Sequence, residues 1–245
     1  MKITILGTAP GNSISGKSHT AYLIEENDYK CLLDCGEGTT QKLLAKDLVK
    51  DELDFIIISH LHPDHVTGLF ILLQSLYLNK RSKDMFVFLP EGVQEFETFM
   101  KTIYIFNDRF SYRVFIQLYT ESTFKESNIF PFRNSHLSGY KSIIDKYDLS
   151  NKLLSYSFVL KGDRKSLLLS SDIKSVEDIR QEIKDCEVMI LDGIHPSSQT
   201  IIDLLKNSNI EVYITHGDYQ ILQTKFADLL SNNIRLAEEN DEINI

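Results

Sequence analysis

Short apolar runs alternate along this chain with longer stretches in which apolar side chains recur every three or four positions, the pattern of strands interleaved with amphipathic helices. KITILGT (residues 2–8), TAYLIEE (20–26) and YKCLLDCG (29–36) read as three strands, the last stopping at a glycine. TTQKLLAKDLVK (39–50) predicts a helix, DFIIISH (54–60) a buried strand, and VTGLFILLQSLYLN (66–79) a largely buried helix. MFVFLP (85–90) and EGVQEFETFMKTIYIF (91–106) repeat the strand and helix pair. Between 110 and 147 the pattern weakens into aromatic-rich strand candidates separated by polar turns. LLSYSFVLKG (153–162) and RKSLLLSSD (164–172) then predict a hairpin turning at Gly162-Asp163. The remainder alternates helix 175–185, strand 187–193, helix 197–208, strand 211–217 and helix 219–232. No linker, repeat or low-complexity tract interrupts the alternation, so the expectation is one α/β domain over residues 1–245.

Composition narrows this picture in two ways. A chain of 245 residues that is 42% hydrophobic can bury a substantial core. A net charge of −9 and a pI near 5.3 argue against a protein that coats nucleic acid, which requires clustered Lys and Arg. Three cysteines, Cys31, Cys35 and Cys186, are too few for a disulfide framework, and the CxxxC spacing of the first two is not that of a zinc ribbon. The chain enters its first strand without the apolar region of a signal peptide, and no apolar run reaches membrane-spanning length. A soluble, cytoplasmic protein is the expectation.

The chemistry concentrates where predicted strands end. His60, His62, Asp64 and His65 fall within six residues directly after a buried strand. Asp172 closes the strand 164–172, His216 closes 211–217, and His136 follows the strand candidate NIFPFRNS. A strand fixes the backbone while the loop after it lets side chains converge, so these ends are where functional groups gather in α/β folds. A single histidine beside a strand is more often a satisfied core or surface residue; five histidines and two aspartates at such places point to metal. Imidazole and carboxylate donors suit two divalent ions, Zn2+ first and Mn2+ or Fe2+ as competitors. Two ions roughly 3.5–4 Å apart can hold a shared hydroxide and clamp a phosphoryl or carbonyl oxygen.

HLHPDH (60–65) resembles the HxHxDH signature of the metallo-β-lactamase fold superfamily, and His136, Asp172 and His216 follow in the order that family uses for its remaining ligands. The resemblance spans the whole chain. It implies an α/β fold, an αβ/βα sandwich of two mixed β-sheets with outer helices. It also implies one ion held by His60, His62 and His136, a second held by Asp64, His65 and His216, and Asp172 bridging them.

LLDCGEGTTQKLL (32–44) resembles the segment before this loop in the ribonuclease Z-like phosphodiesterase branch, where the aspartate, here Asp34, supports the ligands from behind. A plain turn at Gly36 and Gly38 is the alternative. The glycine-rich 7–24 segment is similar to the first loop of the same branch and lacks Walker spacing. His195, 21 residues before His216, resembles the branch's phosphate-contacting histidine that assists the leaving group; a turn histidine before Pro196 is the other reading. His19 has no such counterpart and is read as structural. Transfer-RNA-processing members carry a long glycine-rich, basic arm between the third histidine ligand and the bridging aspartate, and only 35 residues separate His136 from Asp172 here. The expectation is therefore an armless hydrolase of a small phosphodiester, such as a cyclic nucleotide or cyclic phosphate. Attack would come from a metal-bridging hydroxide, with Asp64 taking the proton and His195 assisting the leaving group. A ribonuclease Z-like RNA 3′-processing activity, or a thioester or lactone hydrolase, are the alternatives. Relatives of the branch imply a homodimer, while extended nucleic acid and membranes are not expected partners. The aromatic-rich 103–119 segment is read as core, with base-stacking rings or a dimer surface as alternatives.

Overall fold

The computed structural model describes residues 1–206, 208–231 and 233–245. The strands are β1 (Lys2–Gly7), β2 (Ala21–Glu26), β3 (Tyr29–Leu33), β4 (Phe55–Ile57), β5 (Met85–Leu89), β6 (Val114–Leu118), β7 (Ile129–Arg133), β8 (Tyr156–Lys161), β9 (Ser166–Leu169), β10 (Val188–Asp192), β11 (Glu211–Thr215), β12 (Ile234–Leu236) and β13 (Glu242–Asn244). The helices are α1 (Thr39–Leu44), α2 (Pro63–Val66), α3 (Gly68–Leu78), α4 (Val93–Thr102), α5 (Lys141–Tyr147), α6 (Ser198–Leu205) and α7 (Tyr219–Lys225). The strands form a sheet in the order β13-β1-β2-β3-β4-β5-β6 and a second in the order β12-β11-β10-β9-β8-β7. Each sheet is mixed. β3 through β6 run parallel and β13, β1, β2 and β3 antiparallel in the first. In the second, β9 through β12 are parallel, and β7, β8 and β9 antiparallel.

Strands that are apolar on both faces explain the layering, because each face needs its own cover. In β10, Val188 and Ile190 face a core shared with the other sheet, while Met189 and Leu191 face α6 and α7. β1 and β3 likewise turn Ile3, Ile5, Cys31 and Leu33 inward, where they join Phe158, Leu167 and Tyr213 from the second sheet. On the outer side of the first sheet Leu23, Leu32 and Ile56 pack against Leu43, Leu69, Leu72 and Leu76 of α1 and α3. The result is the expected αβ/βα sandwich, with three apolar layers between four layers of secondary structure. No helix among the described residues is long and apolar enough to cross a membrane.

Several elements are shorter than their patterns predict. The first helix stops at Leu44, before the left-handed Asp47 at φ 57°. The helix over 91–106 ends at Thr102, with Tyr104 at φ 65°. The helix expected over 175–185 is instead two 3-10 turns, Val176–Ile179 and Glu182–Asp185. The Ser175 and Asp178 capping box closes the first turn; Val176 and Ile179 are buried and Ile183 only partly so, a thin apolar stripe to hold a longer α-helix. The helices expected at 197–208 and 219–232 are α6 and α7; Asn207 and Asn232, near their expected ends, lie outside the described residues. The aromatic-rich segment divides. Tyr112 is buried and donates to the Leu73 carbonyl at 2.8 Å, and Tyr119 donates to that of Ile58 at 3.0 Å, while Tyr104 is largely exposed.

Phe158 is fully buried between the sheets. Phe158→Ala is expected to lower unfolding free energy by about 3–5 kcal/mol, read as a reduced urea midpoint at unchanged slope.

Candidate metal centre

The site forms where the C-terminal ends of β3, β4, β7, β9, β10 and β11 meet at one end of the sandwich, each strand delivering its polar residues within a few positions of its last hydrogen bond. After β4, Ser59 and His60 lead into a loop whose Pro63 begins α2 and holds the preceding His62 in extended backbone, φ −67° and ψ 146°. Asp64 and His65 thus lie in the first turn, facing inward. Glycines allow this loop to sit down on the turn after β3. A Cβ on Gly68 would lie 2.0 Å from the Gly36 carbonyl oxygen, and one on Gly36 would lie 2.2 Å from that of Asp64. Gly36 is therefore a close-packing residue, and Gly38, at φ 94°, supplies the turn.

Two sets of side chains each bring their donor atoms within 4.8 Å of one another: His60, His62, His136 and Asp172, and Asp64, His65, Asp172 and His216. All seven sequence candidates are here, and Asp172 belongs to both sets. One Asp172 oxygen lies 3.8 Å from His60 Nε2, 3.6 Å from His136 Nε2 and 3.2 Å from His216 Nε2; the other lies 3.2 Å from His65 Nε2. Asp64 Oδ2 is 3.6 Å from His65 Nε2 and 3.7 Å from His216 Nε2. Donors held about 2.0–2.2 Å from a tetrahedral ion are roughly 3.3–3.6 Å apart, so these spacings suit a shared cation in each set. The buried His60 Nε2 has no hydrogen-bond partner although it points into a polar cluster, which a cation would resolve. The residues fit two metal ions.

The opposite edges of the rings are already engaged, which fixes which nitrogen faces the cluster. His65 Nδ1 donates to Asp34 Oδ2 at 2.8 Å, His60 Nδ1 lies 3.0 Å from Ser59 Oγ, and His216 Nδ1 lies 3.1 Å from Thr20 Oγ1. Asp34, at φ 62° after β3, also accepts from the Ser59 amide at 2.7 Å and the Ser59 hydroxyl at 2.9 Å. Ser171 Oγ donates to Ser59 Oγ at 2.9 Å, joining the second sheet to this network.

Protonation divides the histidines in the same way. Burial holds His60 well below its ordinary value, lowers His62, and takes His136 down to about 4, leaving neutral imidazoles with a free lone pair. Burial also opposes charge on His65 and His216, but the Asp172 carboxylate outweighs it and raises both. Around Asp172, burial is likewise outweighed by His216 and His65, which hold the carboxyl well below its usual range. The cluster thus demands positive charge at its centre, which a divalent cation supplies without a proton.

His195 sits at the mouth, exposed, its ring centroid 4.6 Å from that of His136 and 5.3 Å from that of His216. Its Nδ1 donates to Asp192 Oδ2 at 2.8 Å, which leaves Nε2 free; Asp192 Oδ1 accepts the amides of Ile194 at 2.9 Å and His195 at 3.2 Å. Burial opposes the charge on His195 and Asp192 overrides it, raising the group. His19 stays outside the cluster, its Nε2 2.9 Å from Ser13 Oγ. Sequence reading missed Ser59, Ser171, Thr20 and Asp192. Asp192 had a usable signal, since it closes β10 as Asp172 follows β9; the hydroxyl residues had none beyond adjacency.

Asp34→Asn keeps one oxygen for the Ser59 amide and turns an NH2, which cannot accept, toward His65 Nδ1–H; it is expected to weaken metal binding about 10–100-fold, measured by competition with a chromophoric chelator.

Comparison with known proteins agrees with this geometry. The chain is 31% identical over 156 residues to the ribonuclease Z of Metallosphaera sedula, covering 62% of this chain and 50% of the relative. It is 30% identical over 201 residues to that of Anoxybacillus flavithermus, covering 78% and 60%. The chain thus spans about half the length of the curated relatives it matches. The crystal structure of the metallo-β-lactamase fold protein YhfI from Bacillus subtilis superposes with a TM-score of 0.72 over 99% of both chains, at 17% identity, which establishes the shared fold. A family profile described as Anti-Pycsar protein Apyc1 matches residues 1–240, from the first strand to the turn before β13, and the chain therefore belongs to that family.

Proposed function

We propose that this protein is a metal-dependent phosphodiesterase that hydrolyses a small phosphodiester, a cyclic nucleotide or a related cyclic phosphate. The observation that carries the reading is the segment between His136 and Asp172. It is fully used by the remainder of the 3-10 turn ending at Tyr140, by α5, by the loop 148–155 and by the β8–β9 hairpin, so no arm for gripping a folded RNA extends from it. The acidic balance of the chain fits the same conclusion.

His60, His62 and His136 would hold one divalent cation, Asp64, His65 and His216 another, and Asp172 would touch both. Zinc fits the nitrogen and oxygen donor set best. Such ions supply Lewis acidity, lowering the pKa of water and neutralising charge on phosphoryl oxygens. The side chains do the rest. Asp64 would accept the proton of the water that attacks phosphorus. As the imidazolium that Asp192 favours, His195 would present Nε2–H to the phosphoryl group and pass that proton to the alkoxide as the P–O bond breaks, leaving the neutral ring with its proton on Nδ1, held by Asp192. Asp34 and Ser59 keep His65 and His60 aimed at the cluster.

RNA 3′-end processing is the second reading, favoured by the ribonuclease Z identity of the curated relatives. Cyclic mononucleotides and a precursor transfer RNA assayed in parallel with metal-reconstituted protein separate the two: cleavage of the RNA alone would reject the small-substrate reading. Preference for a p-nitrophenyl ester over bis-p-nitrophenyl phosphate would reject phosphodiester chemistry altogether.

Chelation is expected to abolish turnover and added Zn2+ or Mn2+ to restore it. His62→Ala and Asp172→Ala should be inactive yet folded by circular dichroism. His195→Ala should lower kcat by about 10²–10³ while metal content, read by atomic emission, stays at two ions; loss of metal in that variant would contradict the role given to His195.

A further inference from the structure

The donors that the second sheet delivers are not held alike. Asp172 is fixed through both of its chain neighbours: Ser171 Oγ donates to Ser59 Oγ at 2.9 Å, and the Ile173 amide donates to Asp192 Oδ2 at 3.2 Å. His136 has no such frame. Where His65 has the Asp34 carboxylate behind its ring, the polar contacts of the His136 ring among the described residues are His62 and Asp172, members of its own donor set. The direction of His136 is therefore set by the backbone that carries it. That backbone is the 3-10 turn His136–Tyr140, in which only Leu137 is buried, so apolar packing holds it at one point.

Two polar attachments supply the rest, and both lead to the segment that carries Asp172. The Asn134 carboxamide accepts the His136 amide at 3.1 Å and donates to Ser157 Oγ at 3.0 Å, and Ser157 Oγ donates to the Ser170 carbonyl at 2.5 Å. On the other side, Asp178 Oδ2 accepts the Ser135 hydroxyl at 3.0 Å, the Lys174 amide at 3.1 Å and the Ser175 amide at 3.3 Å. One carboxylate oxygen thus gathers the residue before His136 and two residues shortly after Asp172. Its base is firm, because Ile173, Val176 and Ile179 are buried in the core beneath it. A capping box asks of Asp178 only its contact with the Ser175 amide, so the bond from Ser135 is more than closing the turn requires.

Resting on the two-ion reading of the cluster above, and independent of the substrate, we propose that Asp178 is a positioning residue that sets the reach of His136 toward the centre. It governs the affinity of the cation in the His60, His62 and His136 set and leaves the cation in the Asp64, His65 and His216 set unaltered. This selectivity follows from the attachments. Without the Ser135 bond the His136 turn can swing about Asn134 and Leu137, while Asp172 stays held through Ser171 and Ile173. A charged acceptor holds its donor more firmly than a neutral one, and Asp178 is the charged acceptor of this turn.

The test is Zn2+ titration against a chromophoric chelator, resolved into two binding steps, on wild type, Ser135→Ala, Asp178→Ala, Asp178→Asn and Ser175→Ala. Ser135→Ala and Asp178→Ala are expected to weaken one ion about 10-fold and to change the other by less than about twofold. Asp178→Asn keeps an oxygen for the same donors and should retain both ions. Ser175→Ala removes the hydroxyl that caps the Glu177 amide at 3.3 Å but leaves the Ser135 bond in place, and should match wild type. A double-mutant cycle locates the effect: in a His136→Ala background, Ser135→Ala should cause no further loss. If Asp178→Ala fails to fold, Ser135→Ala decides, since it leaves the capping box whole. Equal weakening of both ions, weakening of neither, the same loss in Ser175→Ala, or an undiminished loss without His136 would overturn the role of Asp178 while leaving the two-ion reading in place. A wild-type protein that takes up fewer than two ions would overturn both.

Discussion

A buried carboxylate must have its lone pairs answered, and the site is organised around how Asp34 meets that demand. It lies just beyond β3, takes the backbone amide and hydroxyl of Ser59 beyond β4, and receives His65 Nδ1–H from α2. Ser59 in turn accepts Ser171 from beyond β9. One anion therefore ties three segments of the first sheet to the second, and the two histidines it steers present Nε2 to the centre. Removing it would disturb ring direction before it disturbed any ligand.

The elements were legible because their signals are local, whereas the sandwich arrangement was expected only through the family resemblance. Both-face apolar strands such as β10 and the helical spacing of α3 depend only on neighbouring residues, and the seven cluster residues were visible because each follows a recognisable strand. What escaped was cooperative or marginal. The helix expected over 175–185 has respectable spacing, yet with Val176 and Ile179 buried and Ile183 only partly so it relaxes into 3-10 turns. β12 and β13, three residues each, are strands only because β11 and β1 offer an edge to pair with. α5 carries isoleucines without a core to receive them, so its pattern resembles neither a buried nor a solvated helix.

Side chains that act through others left the weakest trace. Ser59, Ser171 and Thr20 are ordinary residue types, and their importance comes from partners 112 and 196 positions away in the chain. Gly36 showed the reverse: its residue type suggested a turn, and its actual constraint is the chain crossing at Gly68, which no short window contains.

Because each donor set draws on both sheets, neither sheet alone possesses a complete site. His60, His62, Asp64 and His65 come from the first, and His136, Asp172 and His216 from the second. A partly folded chain with separated sheets could offer an ion only the HxHxDH loop, and would bind it with fewer ligands. Metal affinity is therefore thermodynamically linked to the docking of the two sheets, and free metal draws the population toward the closed sandwich in proportion to the logarithm of its concentration. The ion acts as a clasp as well as a reagent, and a lesion deep in the inter-sheet core would register at the site as lost affinity although no ligand had changed.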